Sequence, residues 1–413
     1  MQYSVRRNRK MSQMIDLVKD STMKKALDKQ NGLLEVLAAD ALRDLSSDWT
    51  GLADLADTGL FGSAYSIGDH FVDKWTDKSN NTEYTYPWQL NHIGNVELQD
   101  GEQLASRPFL QAHYAHPFGV QFSHQRAFLR CPSGLAAGTY YFTIESAWGS
   151  NVGAGDVVCF TTTVAVPAGG RASGCYGAPD QAKSNWRIYT HSADGKTILE
   201  TITPTFTASG TSLGTMKANQ RDGDLNSVQE MAYGWNRWKT SALRQYLNSD
   251  KGINAWWTAQ DDWDIAPTEL TTKPGFLTGM SEEFIDAIKA VKVVTYPNTV
   301  YDDTGGNTPD ITYDKVFIPS LEQIFVNPQK SGEGEYHEYW KRKAGASSPL
   351  AQYGTYPNMI TYAVENHASA QNVRLRSASR GHAYNTWSVT SSGLVANYGY
   401  ASGSLRFAPL VVL

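Results

Sequence analysis

The C-terminal segment of the chain, from Val373 to Leu413, constrains the fold most strongly, because regularly spaced apolar residues alternate there with uncharged polar runs. The spaced apolar positions are Leu375, Trp387, Val389, Val395, Phe407, Leu410 and Val412. The runs between them are rich in Ser, Asn, Tyr and Gly. This pattern predicts short β-strands that bury their apolar side chains, joined by tight turns.

The remaining side chains of this segment have the composition of a recognition surface. Tyr offers a large contact area at low entropic cost, and Ser, Gly and Asn adapt their hydrogen bonds. If Val389 and Val395 point inward, their neighbours along the strand point outward. We therefore predict a solvent-facing ligand-binding face, with Trp387 assigned to the core, made of Ser379, Gly381, His382, Ala383, Tyr384, Asn385, Ser388, Thr390, Leu394, Ala396, Asn397, Tyr398, Gly399 and Tyr400. The alternative is a plain β-meander whose exposed side happens to be rich in Tyr.

Length and composition limit the class of protein. A chain of 413 residues is expected to form two or three domains. The abundance of aromatic residues and glycine favours β-rich domains. A net charge of −5 without a basic patch argues against nucleic-acid binding, and no apolar run is long enough to predict membrane insertion. No secretion signal is recognised, and three cysteines without a CxxC pair indicate reduced thiols.

The pattern along the chain predicts three parts. Residues 1–58 are expected to be a helical segment, because residues 8–46 carry an apolar stripe at helical spacing. Such a stripe needs a partner, so we expect this segment to mediate attachment or self-association. Residues 59–216 contain strand-like runs that predict a β-sandwich domain. Residues 217–413 combine two predicted helices with a long β segment, which indicates an α+β arrangement.

Several local elements follow from start signals and periodicity. Within residues 235–249 a helix is predicted, with Thr240 or Ser241 as its cap, and Ser281 is expected to begin a second helix. Strands are predicted at 292–296 and 314–318, a short helix at 320–325, and a loop over 332–348.

A family resemblance is carried by the runs GWNRWKTSALRQYLNS, DKVFIPSLEQI, LRSASRG and SGLVANYGYASGSLRFAPLVVL. They look like a domain family of unknown function from gut bacteria and their prophages, similar in fold to the C-type lectins and the formylglycine-generating enzymes. The C-terminal part also resembles the variable proteins of diversity-generating retroelements, of the phage major tropism determinant type. This resemblance implies a C-type-lectin-like domain over residues 217–413 whose surface residues are exchanged by rewriting adenines in the gene.

The departures from these families exclude part of their chemistry. Tyr296–Pro297–Asn298 and Tyr356–Pro357–Asn358 lack the acidic residue of the calcium-dependent lectin motifs. All three cysteines precede Ala178, so the active-site cysteines of the enzyme group are missing. His113 and His116 have no diagnostic metal spacing. We therefore predict no enzyme activity, no catalytic residues, no metal and no cofactor.

The expected function is that of a binding protein encoded by a phage or prophage and located in the virion. Its expected partners are a host-cell surface protein or glycan and, through the N-terminal segment, other virion proteins. We also expect a homo-oligomer, with a trimer favoured by the resemblance, and no nucleic-acid partner. The alternatives are a structural virion protein of tail or capsid without a ligand, and a glycan-binding lectin on a bacterial cell surface.

Overall fold

The computed structural model describes residues 47–123, 127–131, 133–144, 154–168, 170–174, 183–185, 187–193, 197–216, 236–260, 266–299, 306–381 and 385–413. Within these residues the protein is β-rich, with six sheets and only short helices. Among them no helix is long and apolar enough to cross a membrane. The predicted helical stripe at residues 8–46 lies outside the described residues.

The strands are β1 (His70–Asp77), β2 (Thr82–Glu97), β3 (Gln103–Ala112), β4 (Ala127–Cys131), β5 (Gly138–Ile144), β6 (Val157–Thr162), β7 (Gly170–Gly174), β8 (Ile188–His191), β9 (Ile198–Ile202), β10 (Thr211–Met216), β11 (Val291–Thr295), β12 (Asp310–Asp314), β13 (Val316–Phe317), β14 (Thr361–Tyr362), β15 (Ala370–Gln371), β16 (Val373–Ala378), β17 (Asn385–Val389), β18 (Val395–Tyr400) and β19 (Leu410–Val412). The α-helices are α1 (Trp49–Asp57), α2 (Phe61–Ala64), α3 (Ala242–Leu247), α4 (Glu282–Ala287) and α5 (Glu338–Ala344). Single 3-10 turns occupy Lys183–Asn185, Trp238–Thr240, Thr268–Thr271, Phe276–Gly279 and Pro357–Met359.

The largest sheet joins strands from distant parts of the chain, in the order β1-β2-β3-β19-β13. Its centre pairs β3 with the C-terminal strand, so that Val411 lies opposite Leu110. The same strand then pairs with β13, where Val411 also lies opposite Val316. This sheet therefore runs across the boundary that the sequence predicts between residues 216 and 217.

Helix α1 belongs to the same body as this sheet. Trp49 is 1% exposed, and its ring meets the ring of Phe284 edge-on, with 4.8 Å between centroids. Asp48 caps the helix by accepting a hydrogen bond from the backbone N–H of Gly51 at 2.8 Å. The predicted N-terminal segment 1–58 thus ends with a helix that is packed into the main core.

The strands between residues 127 and 216 form two small sheets, in the orders β4-β7-β8-β9 and β10-β5-β6. Cys159 and Thr205 connect these regions through reciprocal backbone hydrogen bonds of 2.8 Å. Phe142, Val158 and Ile188 are buried in the same apolar cluster as the five-stranded sheet. The strands between residues 127 and 216 and the five-stranded sheet therefore share one continuous apolar core.

The predicted helix starts are confirmed, whereas two later elements differ. Ser241 Oγ accepts from the N–H of Arg244 at 3.1 Å, and Ser281 Oγ accepts from the N–H of Phe284 at 3.2 Å. Residues 320–325 form turns instead of the predicted helix, and α5 lies inside the predicted loop 332–348. Helix α5 buries Trp340 in a second apolar cluster. This contact is made with distant parts of the chain, so the local sequence pattern did not predict the helix.

The second cluster underlies the three-stranded sheet β16-β17-β18. The apolar residues predicted for the core are confirmed there: Leu375, Trp387, Val389 and Val395 are each at most 5% exposed. Phe407, Leu410 and Val412 are fully buried as predicted, but they pack in the first cluster.

Candidate ligand-binding face

The structure divides the residues of the predicted face into three groups. Exposed or half-exposed are Gly381, Thr390, Leu394, Tyr398 and Tyr400. Buried, contrary to the prediction, are Ser379, Asn385, Ser388, Ala396, Asn397 and Gly399. Outside the described residues are His382, Ala383 and Tyr384. The predicted alternation therefore fails in β17 and at the start of β18, and it holds for Tyr398 and Tyr400 at the end of β18.

The reason is that β17 is covered on both sides, so every one of its residues is buried. One side packs on the second apolar cluster through Trp387 and Val389. On the other side, the buried guanidinium of Arg374 donates to Thr386 Oγ1 at 2.5 Å. A strand buried on both faces loses the inside–outside alternation on which the prediction rested.

Gly399 shows how closely the second side is packed. A Cβ atom at this position would lie 2.9 Å from the Leu405 side chain and 3.0 Å from Thr386 Oγ1. Any larger residue would therefore need a shift of its neighbours. Gly381, in contrast, has no atom within 4 Å of the corresponding position, so a side chain can be added there freely.

The exposed part of this region is built around two tyrosines. Tyr398 is 65% exposed and Tyr353 is 51% exposed, and their ring centroids lie 6.4 Å apart with a 50° angle between the planes. The buried ring of Trp387 supports Tyr353 at 5.2 Å. We call the surface formed by Tyr353 and Tyr398 the tyrosine face.

Backbone contacts hold the tyrosine face in place. Tyr353 has the left-handed φ of 60°, and its N–H donates to the carbonyl of Val395 at 2.8 Å. The Gln329 side-chain oxygen accepts from the N–H of Arg380 at 2.8 Å and from the indole N–H of Trp387 at 3.3 Å. Burial, and then the neighbouring Tyr398, raise the pKa of Tyr353 above its usual value. Its ring is therefore neutral at pH 7.

Arg374 anchors the strand that carries Tyr398. Its guanidinium is fully buried and donates to Thr386 Oγ1 at 2.5 Å, to the Tyr400 carbonyl at 2.9 Å and to the Gly403 carbonyl at 2.6 Å. The cation also lies 5.6 Å from the ring centroid of Phe122. Burial lowers the pKa of Arg374 to about 9, which leaves it charged at pH 7.

Arg376 and Arg380 act in the same way on two other loops. Arg376 donates to the carbonyls of Ile318 and Glu333, and Arg380 donates to the carbonyls of Pro297 and Gly306 at 2.8 Å each. We call Arg374, Arg376 and Arg380 the anchoring arginines. Because most of their acceptors are backbone carbonyls, the contacts depend little on the identity of the acceptor residues.

A buried amide pair joins Ser379 and Asn385, two described residues that are close in sequence. Asn236 is 0% exposed and donates to the carbonyls of both Ser379 and Asn385, at 2.9 and 2.6 Å. Its own oxygen accepts from the buried Asn298 amide at 2.9 Å. Asn236 therefore contacts both Ser379 and Asn385, although it lies 143 and 149 residues from them in sequence.

The histidines singled out in the sequence are engaged in hydrogen bonds. His116 is fully buried, with Nδ1 3.1 Å from the Tyr86 hydroxyl and Nε2 3.1 Å from the Tyr246 hydroxyl. Burial lowers its pKa well below 6.5. His113 Nδ1 lies 3.2 Å from His70 Nε2. Across the described part of the chain, no group of three or more His, Cys, Asp or Glu side chains could hold a metal.

Sequence reasoning missed Tyr353, Gln329, Asn236 and the anchoring arginines. The alternation of Arg374 and Arg376 with Val373 and Leu375 is typical of a strand with one solvated face, so the local pattern carried no signal of their burial. For Tyr353 a signal was available, because it lies within a long uncharged segment.

The geometry is that of a β-rich fold in which exposed aromatic side chains lie above a buried polar base. Comparison with protein families places residues 202–413 in the family described as a domain of unknown function (DUF6273). Because this match covers just over half of the 413 residues, the chain belongs to that family. Comparisons with curated proteins and with solved structures found no match.

Proposed function

We propose that the chain is a phage- or prophage-encoded binding protein that presents exchangeable side chains on a C-type-lectin-like α+β domain. The observation that carries the proposal is that the residues that hold the backbone in place are different from the residues whose side chains are exposed. The anchoring arginines hold backbone carbonyls, whereas the exposed tyrosines contribute side chains that the core does not need. Function on such a scaffold lies in the surface residues and not in the fold.

This arrangement allows sequence variation without loss of structure. Exchanging Tyr400 for another residue leaves its carbonyl available to Arg374. The open surroundings of Gly381 and the exposure of Tyr398 allow side chains of many sizes. The variable positions that we propose are therefore Gly381, Thr390, Leu394, Tyr398 and Tyr400, joined by Tyr353 as a constant aromatic neighbour.

In the same proposal, the ligand is a host-cell surface protein or glycan, and residues 1–46 connect the protein to other virion proteins or to further copies of itself. A single face of this kind gives modest affinity, so several copies on one particle would supply the strength of attachment. The protein has no catalytic role in this proposal and requires no cofactor.

The test is a library in which Gly381, Thr390, Leu394, Tyr398 and Tyr400 are randomised together, compared with a library of the buried positions Ser379, Asn385, Ser388, Ala396 and Gly399. Resistance to protease on a display platform measures folding. We expect most members of the first library and few of the second to fold. Equal tolerance of the two libraries would contradict an exchangeable face. A reverse transcriptase gene beside this gene, with a near-copy of its 3′ end differing only at adenines, would independently support the proposal.

A further inference from the structure

The two longest segments of the chain without Asp, Glu, Lys or Arg are residues 344–364 and 381–405. In the whole chain 19% of the residues are of these types. The first segment contributes Tyr353 and the second contributes Tyr398, so both exposed rings of the tyrosine face come from uncharged sequence. The absence of charge therefore coincides with the exposed aromatic side chains.

The two uncharged segments lie side by side. The N–H of Tyr353 donates to the carbonyl of Val395, and the N–H of Val395 donates at 3.0 Å to the carbonyl of Gly354. The N–H of Tyr356 donates at 2.8 Å to the carbonyl of Gly393. These three hydrogen bonds make the segments one continuous surface.

The exposed residues of this surface are small, polar or aromatic. Besides the two tyrosines, exposed positions on the two segments include Ala351, Thr355, Asn358, Ser391 and Ser392. Depletion of charge together with exposed Tyr is found at the buried centre of protein–protein interfaces. Ser and Asn beside Tyr are typical of recognition surfaces, where they contribute adaptable hydrogen bonds. Tyrosines of this kind commonly contribute most of the binding energy at such centres.

From these observations we infer that the tyrosine face binds an uncharged patch on a partner protein, through aromatic and apolar contacts and without ion pairs. The inference rests on the proposed function and names the chemical class of its ligand. The two tyrosine rings contact each other with a 50° angle between their planes, so they present one joined aromatic surface to a partner. A charged group of the partner would find no opposite charge on the uncharged segments, and burying it there would cost free energy. A neutral partner surface avoids this cost. Such binding should depend only weakly on ionic strength, because it contains no ion pair that salt could screen.

The experiment uses the full-length chain as target for a displayed library of disulfide-closed random peptides, with an array of neutral and acidic oligosaccharides probed in parallel. Each binder is measured again with the double variant Tyr353→Ala/Tyr398→Ala. The matched control is Tyr336→Ala, which removes another exposed tyrosine, 37% exposed, outside the face. Thermal melting of both variants verifies that they are folded.

We expect peptides poor in Asp, Glu, Lys and Arg that lose at least about tenfold in affinity with the double variant and none with Tyr336→Ala. Their affinity should change by less than about twofold between low salt and roughly 1 M NaCl. Tyrosine-dependent peptides that are highly charged and salt-sensitive, or tyrosine-dependent binding of oligosaccharides alone, would overturn the inference and leave the proposed function standing. If no ligand of either kind depends on the two tyrosines, both fail.

Discussion

Arg374 donates a 2.9 Å hydrogen bond to the backbone carbonyl of Tyr400, 26 residues further along the chain. The side chain of Tyr400 takes no part in this contact. A buried guanidinium that donates to backbone carbonyls fixes the path of a strand. Because every residue has such a carbonyl, the side chains of that strand can change without loss of these hydrogen bonds. The exposed end of β18 therefore depends on a residue that never meets solvent.

Replacing Arg374 by Lys should lower the free energy of unfolding by roughly 2–4 kcal/mol, because an ammonium group cannot reach the acceptors of the planar guanidinium and leaves buried carbonyls unpaired. Arg342→Lys is the control, because Arg342 is exposed on α5 and the substitution should change the free energy of unfolding by less than about 0.5 kcal/mol. Urea denaturation measures both. Equal losses would show that Arg374 is not an anchor.

Removing the Tyr398 side chain should change the free energy of unfolding by less than ~0.5 kcal/mol, because the ring is mostly exposed. Removing the Trp387 side chain should cost roughly 3–5 kcal/mol, since its indole is fully buried in the second cluster. Phe407→Ala should resemble Trp387→Ala, because Phe407 is equally buried. A large loss for Tyr398→Ala with a small one for Trp387→Ala would mean that the assignment of inside and outside is reversed.

The stability of the protein should fall as the pH drops below about 6.5. His116 and His337 are buried and their pKa values are well below 6.5, chiefly through burial. A base with a lowered pKa in the folded state is protonated first in the unfolded state, so acid favours unfolding. Each such imidazole should cost about 1.4 kcal/mol per pH unit until its folded-state pKa is reached.

His116→Gln tests this assignment, because glutamine can still hydrogen-bond to Tyr86 and Tyr246 but does not titrate in this range. Urea denaturation at pH 7.5, 6.5 and 5.5 should show that the variant loses about 1 kcal/mol less than the parent between the last two values. An identical decline in parent and variant would show that His116 is not one of the titrating groups.

Oligomer formation should depend on residues 1–46, whose apolar stripe predicts a homo-oligomer and most simply a trimer. The appropriate shortened chain begins at Ser47, because Trp49 packs against Phe284 and removing α1 would expose the main core. Light scattering should report an oligomer for the full-length chain and a monomer for the shortened one. A monomer in both samples would contradict the prediction.

Local sequence determined several features of this protein without help from the rest of the chain. Ser241 and Ser281 cap their helices because a hydroxyl at such a position satisfies a free N–H within the next turn. Trp387, Val389 and Val395 are in the core as their spacing predicts, because apolar side chains at strand positions avoid water. These outcomes follow from interactions within a few residues or from hydrophobicity alone.

Only the tertiary structure decided which side chains remain exposed. The alternation in β17 separates its two faces, but the second face is also covered. Arg374 of the neighbouring strand contacts Thr386 there and packs on Phe122, which is more than a hundred residues away. The same holds for Tyr353, which joins Tyr398 through contacts between separate segments. Periodicity describes the direction of a side chain relative to its own backbone, whereas burial depends on what the rest of the chain places in front of it.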